Sequence, residues 1–212
     1  MAHVRGDRPQ QTATVGVAEH VNAAVLVTLA GGELLDRRRI ELTEPGLPSH
    51  PHHHEGSWAV GRYLNTPGAR ALSMADAVAL VARVRASAER GAREGLEALT
   101  ATVALPIVAI AIRACPALPP TTEERIVDHR AQTQADSVMY REALAAAATA
   151  RGWAVHWYDA GQVFREAAAA LGRDDCEALL HTMGRLAGPP WQARHKLAAA
   201  AALACSRPAP AR

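Results

Sequence analysis

Short apolar runs and tight turns alternate from Thr12 to Leu42, TATVGVAEHVNAAVLVTLAGGELLDRRRIEL. Thr12 to Ala18 is a strand-length run rich in β-branched residues. Ala23 to Leu29 is almost wholly apolar, which predicts a strand buried on both faces. A turn carrying Glu19 and His20 separates these two. An Ala30-Gly31-Gly32 turn leads into a third run, Glu33 to Leu42. There Asp36 to Arg39 interrupt the apolar positions Leu34, Ile40 and Leu42, as at the edge of a sheet. Such short connections make neighbouring strands antiparallel, so the first and third run parallel to each other.

Residues 43–71 form a long loop punctuated by Pro and Gly, and it holds four of the ten histidines. Loops of this length inside a domain are usually functional or mobile. A helix follows, with Ser73 as N-cap and Asp76 in its first turn. Val78, Val81 and Val84 keep helical spacing, and the pattern runs toward Leu99 with Gly91 and Gly95 as weak points. Pro106 to Ile112 is a fully buried strand reached by a right-handed parallel crossover. A second long helix is expected over 123–151, stopped by Gly152, with Val127, Val138, Leu144 and Ala148 on its buried side. Ala154 to Tyr158 is the fifth strand. Helices at 161–171, 174–187 and 192–205 complete the pattern, with a sharp break at Gly188-Pro189-Pro190-Trp191. The expected layout is a loose segment at 1–11, one domain over 12–205 and a disordered tail at 206–212.

Hydrophobic residues make up 49% of the 212 positions and charged residues 21%, which excludes a disordered chain. Aromatics are only 4%, so the core is built from Ala, Leu and Val. The net charge of +2 argues against a strong overall field for nucleic acid or membrane, and any nucleic-acid role needs a local patch. The three cysteines form no C-x-x-C pair, which fits a reducing compartment. The N-terminus has no apolar h-region and the longest apolar run, Ala101 to Ile112, is too short to span a bilayer, so a soluble, cytoplasmic protein is expected. Walker, dinucleotide-fingerprint, nucleophile-elbow and H-E-x-x-H motifs are absent.

Three antiparallel strands followed by helix-linked parallel strands resemble the ribonuclease H-like superfamily, an α/β fold with a mixed five-stranded sheet flanked by helices. The Gly16-Val17-Ala18 start, the Gly-Gly hairpin and the closing helix His195-Lys196-Leu197-Ala198 are similar to those of its RuvC-type resolvase branch. The resemblance implies a hydrolase: a metal-dependent nuclease in which carboxylates hold two divalent ions, Mg²⁺ or Mn²⁺, at a phosphodiester. Ala18 stands where that family has its first aspartate, and Leu197 where an acid is expected on the last helix. The remaining candidates for catalysis are Glu19, His195 and one acid from Glu124, Asp128 or Asp136, with Arg130 on phosphate.

Strand direction gathers the carboxyl ends of strands one, three, four and five on one edge, where α/β folds bind ligands. Glu19-His20, the histidine loop, the segment after strand four and Asp159 all fall there. His52 and His54, with Glu55, His20 or His195, offer an alternative site for zinc or another transition metal, because imidazole suits such ions better than Mg²⁺. The opposing expectation is a solvated polar loop. His129, Arg130, Gln132 and Asp136 open the second long helix with a polar stripe suited to substrate, or to plain solvent exposure. Trp191 either stacks on a nucleotide or fixes the entry of the last helix. Two further functions stay open beside the nuclease: a degenerate, non-catalytic binding module and the transition-metal site. Nucleic acid, a second copy of the chain and another protein are the open partners; a membrane is not expected.

Overall fold

The computed structural model describes residues 11–53 and 72–206. The segment expected to be loose at 1–10, His54, Glu55 and the rest of the loop to residue 71, and the tail from residue 207 lie outside the described residues. The elements in chain order are β1 (Ala13–His20), β2 (Ala23–Ala30), β3 (Glu33–Glu41), α1 (Met74–Thr102), β4 (Ile107–Arg113), α2 (Thr122–Val127), α3 (His129–Thr149), β5 (Ala154–Tyr158), α4 (Val163–Ala170), α5 (Glu177–Ala187) and α6 (Ala193–Cys205). The sheet order is β3-β2-β1-β4-β5. β1–β2 and β2–β3 pair antiparallel, and β1–β4 and β4–β5 pair parallel. This mixed five-stranded sheet, three antiparallel strands and then two parallel ones with helices on both faces, is the α/β arrangement expected from the element order. Among the described residues no helix is long and apolar enough to cross a membrane.

Strand alternation divides the core between the two sheet faces. Ala13, Val15 and Val17 of β1 pack with α1 and α3. Ala18 packs with α4, α5 and α6. The two helical layers differ in how closely they approach. Ala198 to Ala202 of α6 are all fully buried, and a Cβ placed on Gly16 would lie 1.8 Å from the Ala198 carbonyl oxygen. The Thr14 hydroxyl donates to the Ala202 carbonyl at 3.1 Å. The alanine run thus exists because the helix backbone rests directly on β1, leaving no room for larger side chains.

Three expectations need correcting. Gly91 and Gly95 are not weak points: α1 is continuous, and the two glycines let it lie against Leu42 and Ile40. The second long helix is two helices, because Asp128 is extended and its carboxylate accepts from the Arg130 and Ala131 amides at 2.8 and 3.0 Å. That N-cap starts α3 anew and re-phases the chain, so Val127 is exposed rather than buried. β3 ends at Glu41, one residue earlier than expected.

Replacing Gly16 with Val should lower stability by about 3 kcal/mol or more, since α6 backbone must move. Urea unfolding followed by circular dichroism checks this, and a Gly31→Ala control, where a Cβ meets only a flexible side chain and the cost is that of a positive φ, about 1–2 kcal/mol, should cost less.

Candidate functional site at the carboxyl edge of the sheet

The edge opens because β1 outruns its partner. Its pairing with β4 stops at Gly16–Ala111, while pairing with β2 continues to His20. Val17 to His20 therefore line a gap on the β4 side. Tyr158 closes the floor of that gap by donating to the Val17 carbonyl at 2.7 Å. Alternation then sends Glu19 toward α3 and its neighbours Ala18 and His20 toward α6.

On the α3 side, Glu19 forms an ion pair with Arg141. The Arg141 Nε donates to Glu19 Oε1 at 2.7 Å and the Nη2 group adds a second contact. Arg141 Nη1 also donates to the Ala114 carbonyl at 2.9 Å. Both side chains are 7% exposed, so the pair is buried. One helical turn earlier, Asp136 is 2% exposed and holds the loop after β3. It accepts from the His52 amide at 2.9 Å, from His52 Nδ1 at 2.8 Å and from His53 Nδ1 at 3.5 Å. Burial alone would raise the Asp136 pKa, but these hydrogen bonds outweigh it and hold the carboxyl below its ordinary value. Tyr140 donates to the Ser49 carbonyl at 2.8 Å, one turn further along. Gln132 is fully buried, and its amide donates to the Ile126 carbonyl at 2.5 Å.

On the α6 side, a cavity of about 450 Å³ is lined by Ala18, His20, Arg39, Gln192, Arg194 and His195, among others. Arg37 holds the turn that leads from this cavity back to α5. Its guanidinium donates to the carbonyls of Ala187, Gly188 and Pro189 at 2.8–3.0 Å and also contacts Pro190. That clamp fixes the turn into α6. Trp191 stacks on His195 at 5.7 Å and packs against Gly184, where an added Cβ would meet the indole at 2.4 Å. The Trp191 ring thus fixes the helix entry. His195 Nδ1 accepts from the Gln192 amide at 3.1 Å, which leaves the ring proton on Nε2. Burial and then the Arg37 charge hold the His195 pKa below its ordinary value.

The sequence-derived candidates are therefore distributed rather than gathered. Glu19 and His195 lie on opposite faces of the sheet. Asp128 is an exposed helix cap, with its pKa lowered by the two amides it accepts from. His129 and Arg130 are exposed, and Gln132 and Asp136 are taken up internally. Asp159 caps its own turn, accepting from the Gly161 amide at 2.6 Å. His20 lines the α6 cavity, and His52 turns inward onto Asp136. Among the described residues no group of three His, Cys, Asp or Glu could hold a metal ion.

The donor chemistry does not suit two Mg²⁺ ions. Hard cations need carboxylate or carbonyl oxygens. The cavity at Ala18 is lined by arginines, histidines and small residues without a carboxylate, and Glu19 is neutralised by Arg141 across the sheet. The cations on this edge that pattern alone did not single out are Arg39, Arg113, Arg141 and Arg194. An arginine ending an otherwise apolar strand, as at Arg113, was the available signal.

No protein-family model and no curated protein matches the chain. Similar solved structures include two of Thermus thermophilus RuvC. One, in complex with Holliday junction substrate, is 15% identical over 91% of each chain with a TM-score of 0.47. The other is 14% identical over 91% of this chain and 92% of that one, with a TM-score of 0.46.

Asp136→Asn should cost about 2 kcal/mol at neutral pH, the worth of hydrogen bonds to a buried charge. A depressed carboxylate pKa stabilises above the unfolded value and is lost as pH falls through the folded one, so the gap to wild type should close below about pH 4. Urea melts across that pH range measure it.

Proposed function

We propose that this protein is a non-hydrolytic ribonuclease H-like module that binds a nucleic-acid backbone at the carboxyl edge of its sheet. The observation that carries this reading is the cavity beside Ala18. Where the family it resembles has metal-binding carboxylates, this chain has Arg39, Arg194, His20 and His195 around a floor of alanine. Protein cations take the place of metal ions there, and phosphate is held directly rather than through a bridging ion. His195 adds a neutral N–H donor from Nε2. Arg39 is paired with Glu41 at 2.9 Å, but both side chains are more than half exposed, so the pair exchanges readily for a phosphate. Among the described residues no carboxylate lines this cavity to order a metal, and Glu19 is committed to Arg141.

The small net charge of +2 makes the binding local and modest. A labelled single-stranded oligonucleotide should bind with a Kd on the order of 10⁻⁶ to 10⁻⁴ M at moderate salt, as for non-specific contacts. Fluorescence anisotropy should show about tenfold weaker binding for an Arg39→Ala/Arg194→Ala variant. Branched and single-stranded DNA and RNA should remain intact in Mg²⁺ or Mn²⁺. Cleavage that disappears in Glu19→Gln would overturn this reading in favour of a metal-dependent nuclease.

A further inference from the structure

A second cleft lies where α3 crosses the ends of β4 and β5, away from the cavity beside Ala18. Its volume is about 570 Å³, within the range of small-molecule sites, and it is lined by Arg113, Thr133, Gln134, Ser137, Arg141 and Asp159 among others. A smaller hollow of about 270 Å³ adjoins it and shares Arg113, Thr133, Ser137 and Arg141.

The donors in this cleft are already in position. A guanidinium carries five N–H groups. Arg141 commits one from Nε and one from Nη2 to Glu19, and one from Nη1 to Ala114. The two N–H groups that remain stand beside the Cys115 thiol, which lines the same cleft and also contacts this guanidinium, on a side chain that is 7% exposed. Glu19 and Ala114 hold the guanidinium plane, so binding would cost little side-chain entropy. Arg113 ends β4 on the same cleft and has no ion-pair partner among the described residues. Thr133 and Ser137, one helical turn apart, supply two hydroxyls from α3. Asp159 lies on the rim; one of its oxygens accepts from Gly161, and the other is an acceptor open to a ligand hydroxyl.

We propose that this cleft binds a small phosphate monoester carrying sugar hydroxyls, of nucleoside monophosphate size. Arg113, the Arg141 donors and the two hydroxyls hold the phosphate, and Asp159 accepts from the sugar. A monoester is favoured over a polyphosphate because Glu19 balances Arg141 and the Asp159 carboxylate stands on the rim, so Arg113 is the one cation of this cleft without an ion-pair partner among the described residues and further phosphate charge would be repelled. The site is independent of the nucleic-acid reading, since it shares neither Arg39 nor Arg194.

The test is calorimetric titration of the full chain with adenosine 5′-monophosphate, adenosine and inorganic phosphate. The monophosphate should bind saturably, with adenosine and inorganic phosphate each at least about tenfold weaker. Arg113→Ala, at an exposed position, should weaken monophosphate binding about tenfold with an unchanged melting curve. Arg39→Ala/Arg194→Ala should leave it unchanged. Absence of saturable binding overturns the site. So does equal binding of adenosine, or wild-type affinity in Arg113→Ala. Inorganic phosphate binding as tightly as the monophosphate overturns the monoester assignment. Equal loss in Arg39→Ala/Arg194→Ala would place the ligand in the other cavity and overturn the proposal, without bearing on whether oligonucleotides bind there.

Discussion

The ion pair between Glu19 and Arg141 governs the whole functional edge. Removing two charges from water costs several kcal/mol per ion, and the cost is offset only when geometry is good and remaining donors are used. Here the contact to Glu19 is two-pronged and a third bond goes to the Ala114 carbonyl. One side chain thereby ties the end of β1, the end of β4 and α3 together. It also decides what chemistry is available. A cation delivered to Glu19 would have to displace Arg141 and leave a buried guanidinium uncompensated.

The two sheet faces meet this edge with different materials. On one side α6 lies so close to β1 that its contact is made of Gly16, the alanine run and the Thr14 hydroxyl, and the Arg37 clamp on the preceding turn delivers Arg194 and His195 to a defined place. On the other side α3 stands further off and fills the gap with polar side chains. Asp136 and Tyr140 hold the loop after β3, and Thr133, Ser137 and Arg141 face open clefts. A backbone-on-backbone contact sets the rigid wall, and a hydrogen-bonded layer forms the adaptable one.

The strands and their pairing were legible in the chain because β1 and β2 are apolar runs with turn residues between them, a local signal. Ser73 and Gly152 marked a helix start and a helix end for the same reason. The break at Asp128 was harder to see, because a helical pattern continues on both sides of it and only the extended backbone there reveals the cap. The candidate site was half legible. Strand direction located the edge and the absence of carboxylates at Ala18 and beyond Ile112. It could not pair Glu19 with Arg141, which is far away in sequence, nor send His52 inward to Asp136 instead of outward to a metal.

By itself, the sequence determined the class of fold, the order of its elements and the missing acidic positions, because periodicity and turn chemistry are properties of neighbouring residues. Only the tertiary structure decided what the remaining charged groups do. Whether a carboxylate binds metal or balances an arginine depends on which side of a strand it leaves and what stands opposite. Here alternation along β1 put Ala18 and Glu19 on different faces, and a helix more than a hundred residues away supplied the partner.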